Sequence, residues 1–111
     1  VSLGAALICF NAVCYPVLVG ENTPVGEYKL EQRSTSHPGY GGDVLLFKES
    51  NTGVFAIHRI INFNQAQKRL QRIASPAPRD RTITDGCINV MPDVYQMLLD
   101  CCSSDELIIK E

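Results

Sequence analysis

Residues 82–90, TITDGCINV, place a glycine and a cysteine between a polar turn and a short apolar run. Gly86, directly before Cys87, can adopt backbone conformations that are closed to other residues. A turn of this kind can expose the thiol and direct successive backbone N–H groups toward one point, which an oxyanion hole requires. The stretch therefore predicts a nucleophilic cysteine, provided that the chain also supplies a base.

The segments around this turn have the pattern of short β-strands. ALICF and VCYPVLV, within residues 5–19, predict a hairpin that turns at Asn11 and Ala12. A strand is predicted from about Glu27 to Gln32. The runs DVLLFKE and GVFAIHRI predict two more strands, and ELIIK, from residue 106 to residue 110, predicts a closing strand. The chain is therefore expected to be a mainly β domain.

Two segments have helical patterns. Residues 64–73, NQAQKRLQRI, have helical composition, with Asn62 or Asn64 as the N-cap, and the prolines of ASPAPRDR end that helix. Pro92 suits the first turn of a second helix. In that helix a repeat at i, i+3, i+4 and i+7 predicts one buried stripe, formed by Val94, Met97, Leu98 and Cys101. One or two helices therefore accompany the strands.

The five cysteines differ in their surroundings. The hairpin register places Cys9 opposite Cys14, as either a cross-strand disulfide or two packed thiols. Cys101 falls on the predicted apolar stripe, where its replacement by Ala should cost about 1 kcal/mol of stability, and Cys102 has no predicted role. Cys87 alone follows a glycine in a polar turn. A catalytic Cys87 should alkylate at a pH below that of an ordinary thiol, about 8.5, which would distinguish it from the cysteine of an inactive domain.

The chain contains two histidines, and one of them suits the role of base. His37 belongs to the loop RSTSHPGYGG, whereas His58 ends an apolar strand that would hold its imidazole in place. A thiol nucleophile requires such a base. The spacing of Cys and His does not match a metal site, so no metal and no cofactor are expected.

Composition and charge narrow the class of protein. The chain has 111 residues, 45% of them hydrophobic and 20% charged, which indicates one globular domain. A net charge of −2 disfavours a nucleic-acid partner. Six of the ten Lys and Arg residues lie between residues 59 and 81, as a solvated face or as a patch for an anionic substrate. The apolar start, VSLGAALICFNAV, is too short to span a bilayer and is expected to begin the folded domain.

Three motifs, taken in their order along the chain, resemble the L,D-transpeptidase (YkuD-type) catalytic domain. They are TPVG at 23–26, FAIHR at 55–59, which contains His58, and TDGCIN at 84–89. The resemblance implies a β-sandwich or barrel-like domain that spans residues 1–111. It also implies that Cys87 forms a thioester with a peptidoglycan stem tetrapeptide after expelling the terminal D-Ala. His58 would be the base, the backbone carbonyl of Arg59 would orient it, and the N–H groups of Gly86 and Cys87 would bind the oxyanion.

Two features depart from the family pattern. Asp85 occupies the position where the usual signature has a second histidine, and the interval between His58 and Cys87 is longer than usual because of the basic segment. The expected substrate contacts are Thr84, Asp85, Asn89, Arg79, Arg81 and Tyr40. An Arg fork binds carboxylates bidentately, so Arg81→Ala should weaken donor binding, whereas Arg69→Ala should have almost no effect.

The resemblance leaves several alternatives open. The acyl acceptor could be an amine, giving 3-3 crosslinks, or water, or a free D-amino acid. The protein could act in its own cell envelope or periplasm. It could also be an antibacterial effector that acts in the periplasm of a target cell and has an immunity protein as its partner. A further alternative is an inactive wall-binding or interaction domain of the same fold.

Overall fold

The computed structural model describes residues 1–36, 42–51, 53–60 and 68–111. These residues form short strands, two helices and a 3₁₀ turn at Pro78–Arg81. In chain order the strands are β1 (Leu7–Phe10), β2 (Val13–Pro16), β3 (Val19–Gly20), β4 (Gly26–Lys29), β5 (Glu31–Arg33), β6 (Val44–Ser50), β7 (Gly53–Arg59), β8 (Thr82–Thr84), β9 (Ile88–Val90) and β10 (Glu106–Ile109). The helices are α1 (Arg69–Ile73) and α2 (Pro92–Cys102). The expectation of a mainly β domain with one or two helices is confirmed, and the described residues form two.

The central sheet has four strands in the order β5-β6-β7-β9. Strands β6 and β7 are antiparallel, as expected for two strands joined by a tight turn. Strand β9 pairs with β7 in parallel and aligns His58 with Asn89. This one parallel pairing brings the segment after the Gly86-Cys87 turn beside the strand that ends in the histidine.

The hydrophobic core lies between this sheet, the surrounding strands and α2. Ile57, Ile88 and Val90 of the sheet are fully buried, and Tyr95 of α2 is equally inaccessible. Apolar residues from the first hairpin and from β10 join the same cluster. Because both paired strands β7 and β9 carry core residues, their register is determined by burial on this face.

The first hairpin forms with the predicted register. Strands β1 and β2 pair Cys9 with Cys14, and these two cysteines form a disulfide, which decides between the two alternatives for them. Asn11 and Ala12 turn the chain with positive φ angles of 52° and 66°. Two positive φ angles in succession are the conformation that a tight two-residue hairpin turn requires.

The strand predicted from Glu27 to Gln32 is two strands. Leu30 is buried at the break, and its N–H donates to the carbonyl of Asp105. Strand β4, before the break, pairs with β10, whereas β5, after it, pairs with β6. The composition is strand-like on both sides of Leu30, so the division depends on partners distant in sequence.

The helices agree only in part with their predicted patterns. In α2, Val94 and Leu98 are buried, but Met97 and Cys101 are exposed, and Tyr95 is buried in their place. The prediction of a buried Cys101 was therefore wrong; this cysteine is bonded to Cys102. Helix α1 confirms the end of the other predicted helix, and its expected caps Asn62 and Asn64 lie outside the described residues. Neither helix of the described chain has the length and apolar character needed to cross a membrane.

Candidate active site

His58 and Asn89 are adjacent across the parallel pair of β7 and β9. Both side chains are inside the protein, with His58 only 3% exposed and Asn89 0% exposed. The carbonyl oxygen of Arg59 lies 2.9 Å from Nδ1 of His58, and Nδ2 of Asn89 lies 3.2 Å from Nε2 of the same ring. The imidazole is thus oriented by contacts at both of its ring nitrogens.

Cys87 lies two residues before Asn89 and alongside β7. Its Sγ is 4.0 Å from the carbonyl oxygen of Val54, and it also accepts from the N–H of Ala56. All five cysteines lie within the described residues, and Cys87 is the only one that is not in a disulfide. The half-buried thiol of Cys87 is therefore the one free thiol among the five cysteines.

The surroundings of the Cys87 thiol act on its pKa in opposite directions. Burial raises the pKa of Cys87, and the negative charge of Asp85 adds to this effect. The Ala56 N–H and the positive charge of Arg69 lower the same pKa, but burial is the largest influence. The expectation that a catalytic Cys87 alkylates at unusually low pH stays a prediction, and burial of the thiol is the largest influence that opposes it.

The turn before Cys87 is held by Thr84. The hydroxyl of Thr84 donates to the carbonyl of Cys87 at 2.7 Å and accepts from the N–H of Gly86 at 3.2 Å. Gly86 has a φ of +141°, and a Cβ on it would lie 2.4 Å from the ring of Phe55. The turn therefore requires glycine, as the sequence indicated. However, the Gly86 N–H predicted for the oxyanion hole is engaged by Thr84.

The TPVG segment supports the same turn from the other side. Thr23 is buried; its hydroxyl donates to the carbonyl of Gly86 at 2.9 Å and accepts from the N–H of Gly20 at 2.9 Å. Strand β3, which ends at Gly20, pairs with β8 just before the turn. The side chain of Thr23 thus stabilises the turn that precedes Cys87.

The basic residues are not where the sequence analysis placed them. Arg81 is only 5% exposed, and its guanidinium donates to the carbonyls of Ala5, Ala6 and Ser75, so it does not face a cleft. Arg79 is exposed on the 3₁₀ turn. Arg69, expected to be solvated, is only partly exposed and donates to Oδ1 of Asn89. The sequence does not indicate in which direction an arginine side chain of a short helix points.

The sequence did not predict a cluster of interacting side chains around Arg59, the residue that follows His58. The guanidinium of Arg59 lies 3.1 Å from the carboxylate of Asp43 and 4.1 Å from the centre of the Tyr95 ring. The hydroxyl of Tyr95 donates to Asp43 at 3.0 Å, and Gln32 donates to it as well. Burial opposes the charge on Asp43, but these hydrogen bonds outweigh burial and lower its pKa. The cluster anchors the residue whose carbonyl orients His58.

The remaining expected substrate contacts differ in whether they are exposed or engaged inside the protein. Asp85 is exposed beside the thiol, whereas Thr84 and Asn89 make the internal hydrogen bonds already described. Tyr40 and His37 lie outside the described residues. Within the described part of the chain, no three His, Cys, Asp or Glu side chains are grouped as a metal site.

No protein-family model and no curated protein sequence matches this chain. Several solved structures are similar in fold, among them three with the following identity and coverage. An L,D-transpeptidase from Mycobacterium smegmatis is 17% identical with a TM-score of 0.60, over 99% of this chain and 56% of that one. An L,D-transpeptidase (Yku) from Stackebrandtia nassauensis is 12% identical with a TM-score of 0.56, over 100% and 53%. The Bdellovibrio bacteriovorus protein Bd1075 is 18% identical with a TM-score of 0.52, over 93% and 42%.

The chain spans about half the length of the solved structures that it resembles. At these identities the similarity concerns the arrangement of the backbone. The candidate site depends on the parallel pair of β7 and β9, which places His58 beside Asn89. This chain has the fold of the L,D-transpeptidases.

Proposed function

We propose that this chain is the catalytic domain of a cysteine acyltransferase of the L,D-transpeptidase type, acting on peptidoglycan stem tetrapeptides. One observation carries the proposal. In a fold shared with L,D-transpeptidases, the only cysteine outside a disulfide lies beside the strand whose last residues are His58 and Arg59. A thiol, a base and an acceptor that orients the base are the parts required for covalent acyl transfer.

The proposed reaction has two steps. The sulfur of Cys87 attacks the carbonyl of the third residue of the donor stem, and the C–N bond to the terminal D-Ala breaks. His58 takes the thiol proton at Nε2, which the Asn89 amide must first leave. The proton passes from His58 to the leaving amine, so that free D-Ala and a thioester result. An acceptor amine then attacks the thioester, loses a proton to His58 and restores the thiol. With water as the acceptor, the product is the shortened stem.

The oxyanion contact is assigned here to the N–H of Cys87. The N–H of Gly86 would first have to leave the Thr84 hydroxyl. Among the other expected contacts, exposed Asp85 remains a proposed substrate residue, whereas buried Asn89 is proposed to orient the base. A stem-peptide substrate implies a location in the cell envelope.

The proposal is tested with one defined tetrapeptide donor, an amine acceptor and a free D-amino acid, followed by mass spectrometry of the products and of the protein. The expected results are release of D-Ala and a protein adduct of the mass of the acyl stem. Cys87→Ala should lose both, because no sulfur remains to attack, and should keep its fold. Turnover by the Cys87→Ala variant, or no adduct and no product with the unaltered chain, would contradict the proposal.

A stem-peptide binding domain without turnover is a second candidate. The raised pKa of Cys87 and the engaged Gly86 N–H favour it, since both oppose the acyl-transfer step. This candidate requires the unaltered chain and Cys87→Ala to bind the same stem peptide with equal affinity and neither to release D-Ala. Calorimetry alongside the product assay separates the two functions.

A further inference from the structure

Four residues form a continuous chain of hydrogen bonds through the candidate site. The carbonyl of Arg59 contacts Nδ1 of His58 at 2.9 Å, and Nε2 of the same ring contacts Nδ2 of Asn89 at 3.2 Å. At the other end of the Asn89 amide, Oδ1 accepts from the guanidinium of Arg69. Arg69 belongs to α1, in the basic segment, and reaches the site from outside the sheet.

The donors and acceptors in this chain determine one another. A guanidinium has only donors, so Arg69 can contact only the oxygen of the Asn89 amide. The amide nitrogen must then face His58, and because an amide NH₂ only donates, Nε2 must carry a lone pair. At the other side of the ring, a carbonyl only accepts, so Nδ1 must carry the proton. This pattern admits a neutral imidazole with its proton on Nδ1.

We propose that Arg69 is a positioning residue that acts on His58 through Asn89, orienting the amide so that Nε2 of the imidazole stays unprotonated. An unprotonated Nε2 is the state in which a histidine can accept the proton of a thiol, once the Asn89 amide has left its lone pair. The amide also opposes a lasting proton on Nε2, since two N–H groups would then face each other. This role rests on the proposed function, but the hydrogen-bond pattern exists in the resting protein.

The charges around the imidazole are consistent with this role. Arg69 comes from α1, and Asp85 and Cys87 come from the turn before β9; Arg69 interacts electrostatically with both. The guanidinium of Arg59, on β7, is engaged by Asp43 and lies against Tyr95. Asn89 is 0% exposed, so water does not compete for its amide. Without Arg69, the amide could turn over and present its oxygen to Nε2.

The test measures which of the two imidazole nitrogens of His58 carries a proton. The variant His37→Gln leaves His58 as the only histidine, so its ¹⁵N signals at about pH 7 need no assignment. In this background, Nδ1 should carry the proton and Nε2 should not. Adding Arg69→Met, which leaves no N–H donor at this position, should raise the population with a proton on Nε2 about tenfold, the effect of losing one charge-assisted hydrogen bond. Arg69→Gln keeps a neutral amide donor and should raise that population less; it is used if the Met variant does not fold.

Two further variants separate positioning from a general effect on the fold. Arg72→Gln is the matched control, because Arg72 lies on the same helix and donates to the carbonyl of Asp80; it should leave the ¹⁵N signals unchanged. Arg69→Lys should largely restore them, because an ammonium is also only a donor. A proton on Nε2 in the unaltered site, or identical signals with and without Arg69, would overturn the inference. Absence of turnover with normal signals would instead contradict the proposed function.

Discussion

At the scale of single residues, the pKa of Cys87 is influenced by burial and by one cation and one anion of the same site. Arg69 lowers its pKa and Asp85 raises it, while burial, the largest influence, raises it further. A positive neighbour stabilises the thiolate and a negative neighbour destabilises it. The charge of the thiol thus depends on two side chains that are distant from each other in sequence.

This balance predicts opposite effects of two neutral substitutions. Asp85→Asn should lower the pH at which Cys87 reacts with iodoacetamide, because it removes the nearby negative charge. Arg69→Gln should raise that pH, because it removes the cation. The measurement is the alkylation rate of Cys87 from about pH 6 to about pH 10, by mass spectrometry under non-reducing conditions. Equal profiles for the two variants would show that neither charge reaches the thiol.

Gly86 predicts a strong effect of adding one methyl group. Its φ of +141° is strained for any L side chain, and a Cβ would lie 2.4 Å from Phe55. Gly86→Ala should therefore lower the free energy of unfolding by about 2 kcal/mol or more, measured by urea denaturation. The control is Gly4→Ala, where a Cβ would have contacts of 3.8 Å and should cost little. Equal stability of the two variants would contradict the observed turn.

At the scale of elements, α2 offers a comparison between adjacent positions. Leu98 is 3% exposed and Met97 is 36% exposed, although the sequence pattern assigned both to one buried stripe. Leu98→Ala should cost about 2 to 4 kcal/mol by removing buried volume, whereas Met97→Ala should cost less than about 1 kcal/mol. Thermal unfolding of the two variants measures the difference. Equal losses would mean that the helix is rotated from the orientation described here.

At the scale of the whole molecule, Arg81 joins distant parts of the chain. Its buried guanidinium donates to the carbonyls of Ala5 and Ala6, near the start of the chain, and to that of Ser75. Arg81→Ala would leave the carbonyls of Ala5 and Ser75 without the guanidinium donor, whereas that of Ala6 would keep the N–H of Val17. The expected loss is about 2 to 4 kcal/mol of stability, measured by urea denaturation. Arg79→Ala, on the exposed face of the same turn, should change stability by less than about 0.5 kcal/mol.

The burial of Arg81 replaces the expectation that this residue binds the donor stem peptide. A variant that folds with unaltered stability but binds the donor stem more weakly would restore that expectation. The same assay on Arg79→Ala serves as its reference. Because the contacts of Arg81 span the chain, its loss should be visible as lower cooperativity or earlier unfolding rather than as a change confined to the site.

The sequence by itself determined the features that depend on neighbouring residues. Alternating apolar runs predicted the strands, Asn11-Ala12 predicted the hairpin turn, and the glycine before Cys87 predicted a turn closed to other residues. Such features follow from local backbone preferences and from the period of the apolar residues. The register of Cys9 with Cys14 also followed, since a two-residue turn leaves one alignment of its strands.

Only the tertiary structure decided which side chains meet. The division of a strand at Leu30, the burial of Arg81 and the contact of Arg69 with Asn89 all join residues that are distant in sequence. An arginine in a basic segment has the same local pattern whether it faces solvent, the core or a histidine. Its placement depends on where a buried acceptor lacks a donor, and that is determined when the parallel pair of β7 and β9 forms.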